Sequence, residues 1–171
     1  VIRESSVGTL LFDLLTGDEE DLDRHTGELR FDIDLLARRL IAATSWLSRD
    51  SRASHLQPGF FGSSTGGGAA LVAAATLGNE VGAVVSRGGR PDMAGESLSQ
   101  VTAPTLLIVG GLDTVVIRLN EEAYARLRCE RELKIVPGAS HLFEEKGTLE
   151  HVASLAADWF VKHLHEKTQI M

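Results

Sequence analysis

The sequence predicts an α/β domain built on a mostly parallel sheet of about five strands flanked by helices. Five short runs are almost continuously apolar, as strands buried on both faces of a parallel sheet must be. They alternate along the chain with segments of helical periodicity, the order that right-handed crossover connections produce. A chain of 171 residues, 43% of them hydrophobic, can bury roughly 70% of its unfolded surface, so one core and a single domain over residues 1–171 are expected.

The first strand is expected at residues 7–14. The polar, acidic stretch 16–30 then reads as a loop, with the run 18–23 solvated or part of a lid. A helix follows to about Ser48. Asp32 can accept from N–H groups of its first turn, Phe31 and Leu36 are placed for a hydrophobic staple, and Ile33, Leu36, Leu40, Thr44 and Leu47 share one face. Further strands are expected at 58–62, 81–86, 105–110 and 133–136. Between the last two, Asn120 reads as a helix cap, with Glu121 and Glu122 in the first turn and Tyr124 and Leu127 toward the sheet. The final helix carries Val152, Leu155, Ala156, Trp159 and Phe160 on one stripe and has a basic end that includes Lys162.

Bulk composition excludes several classes. A net charge of −7, from 24 acidic against 17 basic residues, offers no general attraction for a polyanion, so no nucleic-acid partner is expected. Cys129 is the single cysteine; it reads as a structural thiol, rules out an intramolecular disulfide, and makes a cytoplasmic location the expectation. There is no signal-peptide pattern, and the apolar run 69–75 is far short of the ~20 residues that span a bilayer, so no membrane association is expected. His151, His163 and His165 read as helix-end histidines, the last two on different faces either side of Leu164 and without ligand spacing, and neither a metal nor another cofactor is expected. The chain opens at Val1 and enters a buried-looking run at once, from which an upstream or fused segment is expected.

The most informative stretch is Gly62-Ser63-Ser64-Thr65-Gly66, placed where a strand should turn into a helix. A serine on so sharp a turn sits in strained backbone, and residues two positions either side must be very small to avoid their neighbours. That selects Ser64, flanked by Gly62 and Gly66, over Ser63, flanked by Phe61 and Thr65. Glycines at a helix start cost about 1 kcal/mol each against alanine, so close approach to the sheet is the expected reason for Gly66, Gly67 and Gly68. The backbone N–H of Thr65 would face an oxyanion formed by attack of Ser64. The alternatives are a Gly/Ser loop before a small-residue helix, or a phosphate cradle. A P-loop also needs a Lys-Ser/Thr pair, and Gly68 is followed by alanines.

A serine nucleophile needs a base, and the base needs a carboxylate to orient it. Asp113 follows the 105–110 strand and His141 follows the 133–136 strand, both at the carboxyl edge where open α/β sheets build their sites. Singly, Asp113 reads equally as a turn or capping aspartate and His141 as a loop histidine. Arg87 and Arg90 follow the 81–86 strand at the same edge, either as binders of an anionic substrate group or as solvated residues paired with local carboxylates.

The strings Phe61-Gly-Ser-Ser-Thr-Gly66, Ala103-Pro-Thr-Leu-Leu-Ile-Val-Gly-Gly-Leu-Asp113 and Val136-Pro-Gly-Ala-Ser-His141 resemble the dienelactone-hydrolase-like branch of the α/β-hydrolases over nearly the whole chain. The resemblance implies Ser64 as nucleophile, His141 as general base and acid, and Asp113 as its orienting carboxylate. It implies hydrolysis of a small ester, thioester or lactone without a cofactor; a silent binding module of a larger protein and an acyltransferase are the alternatives. Members are also fused to phosphoribosyltransferase domains, which implies a larger parent polypeptide. Two departures stand out. Dienelactone hydrolases proper use cysteine where Ser64 stands, so dienelactone itself is not the expected substrate. Residues 7–14 resemble the family's fourth strand, and the third, which leads into a loop giving the second oxyanion donor, has no counterpart. An α/β-hydrolase fold lacking its first strands is expected.

Overall fold

The structure is a computed structural model that describes residues 2–164; His165, weighed above, lies outside them. Four of the apolar runs become strands, β1 (Gly59–Ser63), β2 (Ala83–Arg87), β3 (Thr105–Gly110) and β4 (Arg131–Val136), paired in that order into one parallel sheet. Parallel neighbours need crossovers. These are α3 (Thr65–Leu77), the 3-10 segment Pro91–Gln100 and α4 (Thr114–Arg126), while α1 (Gly17–Thr26) and α2 (Ile33–Leu47) precede β1 and α5 (Thr148–His163) follows β4.

Alternation along the strands divides the core in two. Phe60, Val84 and Leu107 pack on one face with Leu36 of α2 and Leu71 of α3; Ala83, Val85, Leu106 and Ile108 pack on the other with Val152, Trp159 and Phe160 of α5. β3 is buried at every position, which accounts for its unbroken apolar sequence.

Three expectations are corrected. Residues 7–14 join no sheet: they form no strand, and Leu11 is 96% exposed. A groove of about 1780 Å³ lies against them, bordered on its other side by Phe60 and Phe61 and reaching Thr65 and Gly66. An apolar run becomes a strand only where another backbone lies within the ~4.8 Å ladder spacing, and here the groove intervenes. The described sheet therefore has four strands, and β1 is an edge with an unpaired row of backbone polar groups.

The stretch 16–30 is not a loop but contains α1, opened by a capping box in which Thr16 Oγ1 accepts from Glu19 N (3.3 Å) and Glu19 Oε2 accepts from Thr16 N (2.8 Å). Asp23, buried, accepts from Arg30 Nε at 2.6 Å and from Arg30 N at 3.1 Å. The third correction concerns α4, which begins at Thr114 with Asp113 as its N-cap; Asn120 is an interior residue of that helix and fully buried.

Candidate active site

Ser64 stands between β1 and α3 with φ 51° and ψ −125°. A non-glycine residue held there stores about 1–3 kcal/mol of strain, and its surroundings impose it. Ser64 N donates to Arg87 O (3.3 Å), while Ser64 O accepts from Gly67 N (3.0 Å) and Arg90 N (2.9 Å). A Cβ on Gly62 would run into the Gly66 backbone, and one on Gly68 would lie 2.7 Å from Arg90 O; one on Gly67 would collide with Ser86 Oγ. Close approach thus explains Gly62, Gly67 and Gly68. Gly66 differs from expectation, since a Cβ there meets no atom within 4 Å. The Ser64 hydroxyl makes no capping bond to α3, and Thr65, the first residue of that helix, belongs to the turn whose N–H groups have no partner within the helix.

Asp113 closes the turn after β3, its N–H donating to Gly110 O at 3.0 Å. Its two carboxylate oxygens do different things. Oδ1 accepts from Val116 N at 3.4 Å, capping α4, and Oδ2 lies 2.6 Å from His141 Nδ1. A carboxylate only accepts, so Nδ1 donates this bond, which in the neutral imidazole leaves Nε2 as the free acceptor. The Asp113 side chain is 15% exposed and that of His141 42%, which leaves the imidazole open on the side away from the carboxylate.

His141 rides on a loop secured from several directions. Gly111 N donates to Val136 O (2.8 Å) and Leu112 N to Ala139 O (2.9 Å), stitching the Asp113 turn to the His141 loop. A Cβ on Gly110 would strike the Ala139 and Ser140 backbone. Ser140 N donates to Glu145 Oε2 at 3.0 Å, which holds the Glu145 carboxyl below the usual carboxylate range. Phe143, fully buried, takes the left-handed conformation (φ 57°), and its carbonyl accepts from Thr148 Oγ1 at 2.8 Å. Sequence reasoning missed Glu145, Phe143 and the interior position of Asn120; only the glycine pair 110–111 signalled the loop's close approach.

The two arginines separate. Arg90 grips Asp92 through two bonds, Nε–Oδ1 at 2.9 Å and Nη2–Oδ2 at 2.8 Å, which raise its pKa. Arg87 has no carboxylate partner among the described residues: Nη1 donates to Leu142 O at 3.4 Å and the guanidinium lies over the Phe143 ring at 5.5 Å. Burial pushes its pKa down, though guanidinium stays charged in proteins. Ser64 and His141 flank the turn that links these arginines, since Gly88 would place a Cβ 3.6 Å from His141 Cε1. No hydrogen bond joins the Ser64 and His141 side chains directly; such bonds commonly tighten only once substrate is bound. Among the described residues, no group of three or more His, Cys, Asp or Glu is placed to hold a metal ion, and no helix is long and apolar enough to cross a membrane. Burial pushes the Cys129 thiol up, and Sγ lies 3.7 Å from Thr105 Oγ1.

Known proteins resemble the chain in sequence and fold. The chain is 57% identical over 164 residues to two Mycobacterium tuberculosis proteins, from strains H37Rv and CDC 1551, each provisionally named a phosphoribosyl transferase. That match covers 96% of this chain and 36% of each relative, so the chain spans about a third of their length. A crystal structure of dienelactone hydrolase from Anabaena variabilis superposes with a TM-score of 0.93 at 55% identity, covering 96% of this chain and 76% of that one. A monoacylglycerol lipase from Paleococcus ferrophilus shares the fold at 16% identity and a TM-score of 0.64, covering 77% of this chain and 76% of that one. Residues 15–165 match the dienelactone hydrolase family, and the chain belongs to it.

Proposed function

We propose that this hydrolase-fold chain carries a serine esterase centre of Ser64, His141 and Asp113. The observation that supports it most is the Asp113–His141 hydrogen bond, formed at the same sheet edge as a serine in left-handed backbone. In this reading Ser64 Oγ attacks the carbonyl carbon of a small ester, thioester or lactone while His141 Nε2 takes its proton. The negative charge that develops on the carbonyl oxygen is met by the Thr65 N–H. Collapse expels the leaving group, which receives the proton from His141, and water activated by the same imidazole cleaves the acyl-enzyme. Asp113 keeps the imidazole in the tautomer the cycle needs. No cofactor enters the scheme, and acyl transfer to an acceptor other than water would use the same residues.

Arg87 is our choice for an anionic group on the substrate, because it is partly desolvated without a counter-charge while Arg90 is neutralised by Asp92. The second oxyanion donor we assign to polypeptide outside residues 1–171, delivered by a strand added to the free edge of β1. That edge also favours the rival reading, a silent module completed by a larger protein. A reducing, cytoplasmic setting suits a chain whose lone cysteine is a half-buried thiol.

A fluorophosphonate probe distinguishes the two. Labelling at Ser64, lost together with ester turnover in Ser64→Ala, is the expected result. Undiminished turnover by Ser64→Ala, or no labelling of either this chain or its longer parent, would overturn the esterase reading.

A further inference from the structure

We infer that Asn120, which contacts no reacting atom, is a positioning residue that holds Ser64, His141 and Asp113 in one frame; the inference rests on the esterase reading above. Asn120 lies in the middle of α4 and is fully buried, where an apolar side chain would need no hydrogen-bond partner at all. Its Nδ2 donates one proton to Val116 O at 2.8 Å and the other to Gly89 O at 3.1 Å. Two carbonyl acceptors require the NH₂ group on that side, so the orientation of the amide is set.

Each partner leads to a different part of the site. Val116 N is the group capped by Asp113 Oδ1, which puts the bonded side of Asn120 one turn from the carboxylate that holds His141. Gly89 belongs to the turn between Arg87 and Arg90. Arg87 O and Arg90 N at its two ends are the groups bonded to Ser64 N and Ser64 O. Gly88 in the same turn, with φ 50°, faces His141 closely enough that a Cβ would lie 3.3 Å from its carbonyl oxygen. One buried amide therefore joins the helix capped by Asp113 to the turn that touches the other two residues. The packing around Gly89 leaves little slack: Ser86 Oγ, buried with no partner, would collide with a Cβ on either Gly67 or Gly89, and Asn120 Oδ1 is likewise buried and unpartnered.

The test is Asn120→Leu, of similar volume but without donors, compared with Leu127→Ala, a destabilising change at the buried residue that follows the last turn of the same helix. The protein is used within its natural polypeptide. The measurements are the rate of Ser64 phosphonylation by a fluorophosphonate, kcat and KM for a nitrophenyl ester per labelled site, and Tm. Asn120→Leu is expected to lower the phosphonylation rate and kcat by between about ten- and a hundredfold, as an ångström-scale misplacement does, with KM held within about twofold. Leu127→Ala should lower Tm at least as far and leave kcat per site unchanged. If Asn120→Leu does not fold, Asn120→Ser, whose hydroxyl is too short to reach Gly89, carries the same expectation. Wild-type rates in the folded Asn120 variant, or a parallel fall in Leu127→Ala, overturn the positioning role alone. Failure of the unaltered protein to label at Ser64 overturns the esterase reading and this inference with it.

Discussion

Replacing Gly62 by alanine drives a methyl group into the first turn of α3. The new Cβ would lie 2.5 Å from the Gly66 carbonyl carbon and 2.7 Å from Gly67 N, with Gly66 O nearer still. These are backbone atoms, so no side chain can swing aside. Widening the first of those distances to an ordinary 3.4 Å contact moves the helix start by nearly an ångström. Overpacking of that kind costs about 1–3 kcal/mol, and at this chain length each kcal/mol lowers Tm by about 2–4 °C. The same displacement shifts Ser64 relative to His141, and under the proposed esterase reading a loss of about a hundredfold in reaction rate is expected. Gly66→Ala is the contrast: nothing lies within 4 Å of its Cβ, and alanine adds up to about 1 kcal/mol of helix propensity. Scanning calorimetry and the rate of Ser64 labelling by a fluorophosphonate read both effects. Wild-type labelling by Gly62→Ala, or equal destabilisation by the two substitutions, would refute the reasoning that close approach at Gly62 shapes the turn.

Three further outcomes are expected. Asp113→Asn should lower kcat by about 10⁴-fold by no longer selecting the base-competent imidazole tautomer; steady-state kinetics showing a small loss would remove Asp113 from the mechanism. Arg87→Ala should raise KM for esters with a free carboxylate by at least about tenfold, the worth of one charge-assisted hydrogen bond, and equal effects on neutral esters would count against an anion site. Glu145 titrates below its unfolded value because Ser140 N donates to it. Its contribution to the loop is thus fully present above the unfolded carboxylate pKa and is lost as pH falls through the lower folded one. Hydrogen exchange at Ser140 N should accelerate across that acid window, relative to the intrinsic rate, and Glu145→Gln should abolish the acceleration.

How much of this was readable beforehand follows from what each residue answers to. The turn at Ser64 was legible because Gly62 responds to a neighbour close in sequence, the Gly66 backbone across the turn itself, whereas Gly67 answers to Ser86 on the next strand. Asp113 and His141 were legible as positions at strand ends. Capping was read for Asp113 only as an alternative to the carboxylate role; that one side chain does both, and so where α4 begins, was not legible. α4 opens with Thr114-Val115-Val116-Ile117, a β-branched run of poor helix propensity, and the acidic pair after Asn120 offered a more conventional start. Tertiary context overrides propensity there, through the cap and the burial of Val116. α1 was missed for the opposite reason. It has almost no apolar stripe, and what stabilises it is its capping box together with the Glu19–Arg39 and Asp23–Arg30 pairs, two contacts made with residues beyond the helix.

Residues 7–14 are the most instructive miss, because the same fact accounts for the open edge of β1. Apolar content says that a segment is to be covered; it does not say by what. Leu10, Leu11 and Phe12 stand exposed on one side of the groove and Phe61 on the other, so both flanks present the kind of surface that a central strand buries. The groove ends at Thr65 and Gly66. Gly66 is also the one glycine of the Ser64 turn whose Cβ would meet nothing, whereas every other glycine from 62 to 68 is pressed by a neighbour. Emptiness at Gly66, an unpaired β1 and an unpaired 7–14 therefore describe a single space. A backbone laid along β1 in that space would run toward Thr65, where the proposed esterase reading calls for a second donor to the carbonyl oxygen. That convergence is what favours the proposal that a second oxyanion donor comes from polypeptide added at this edge.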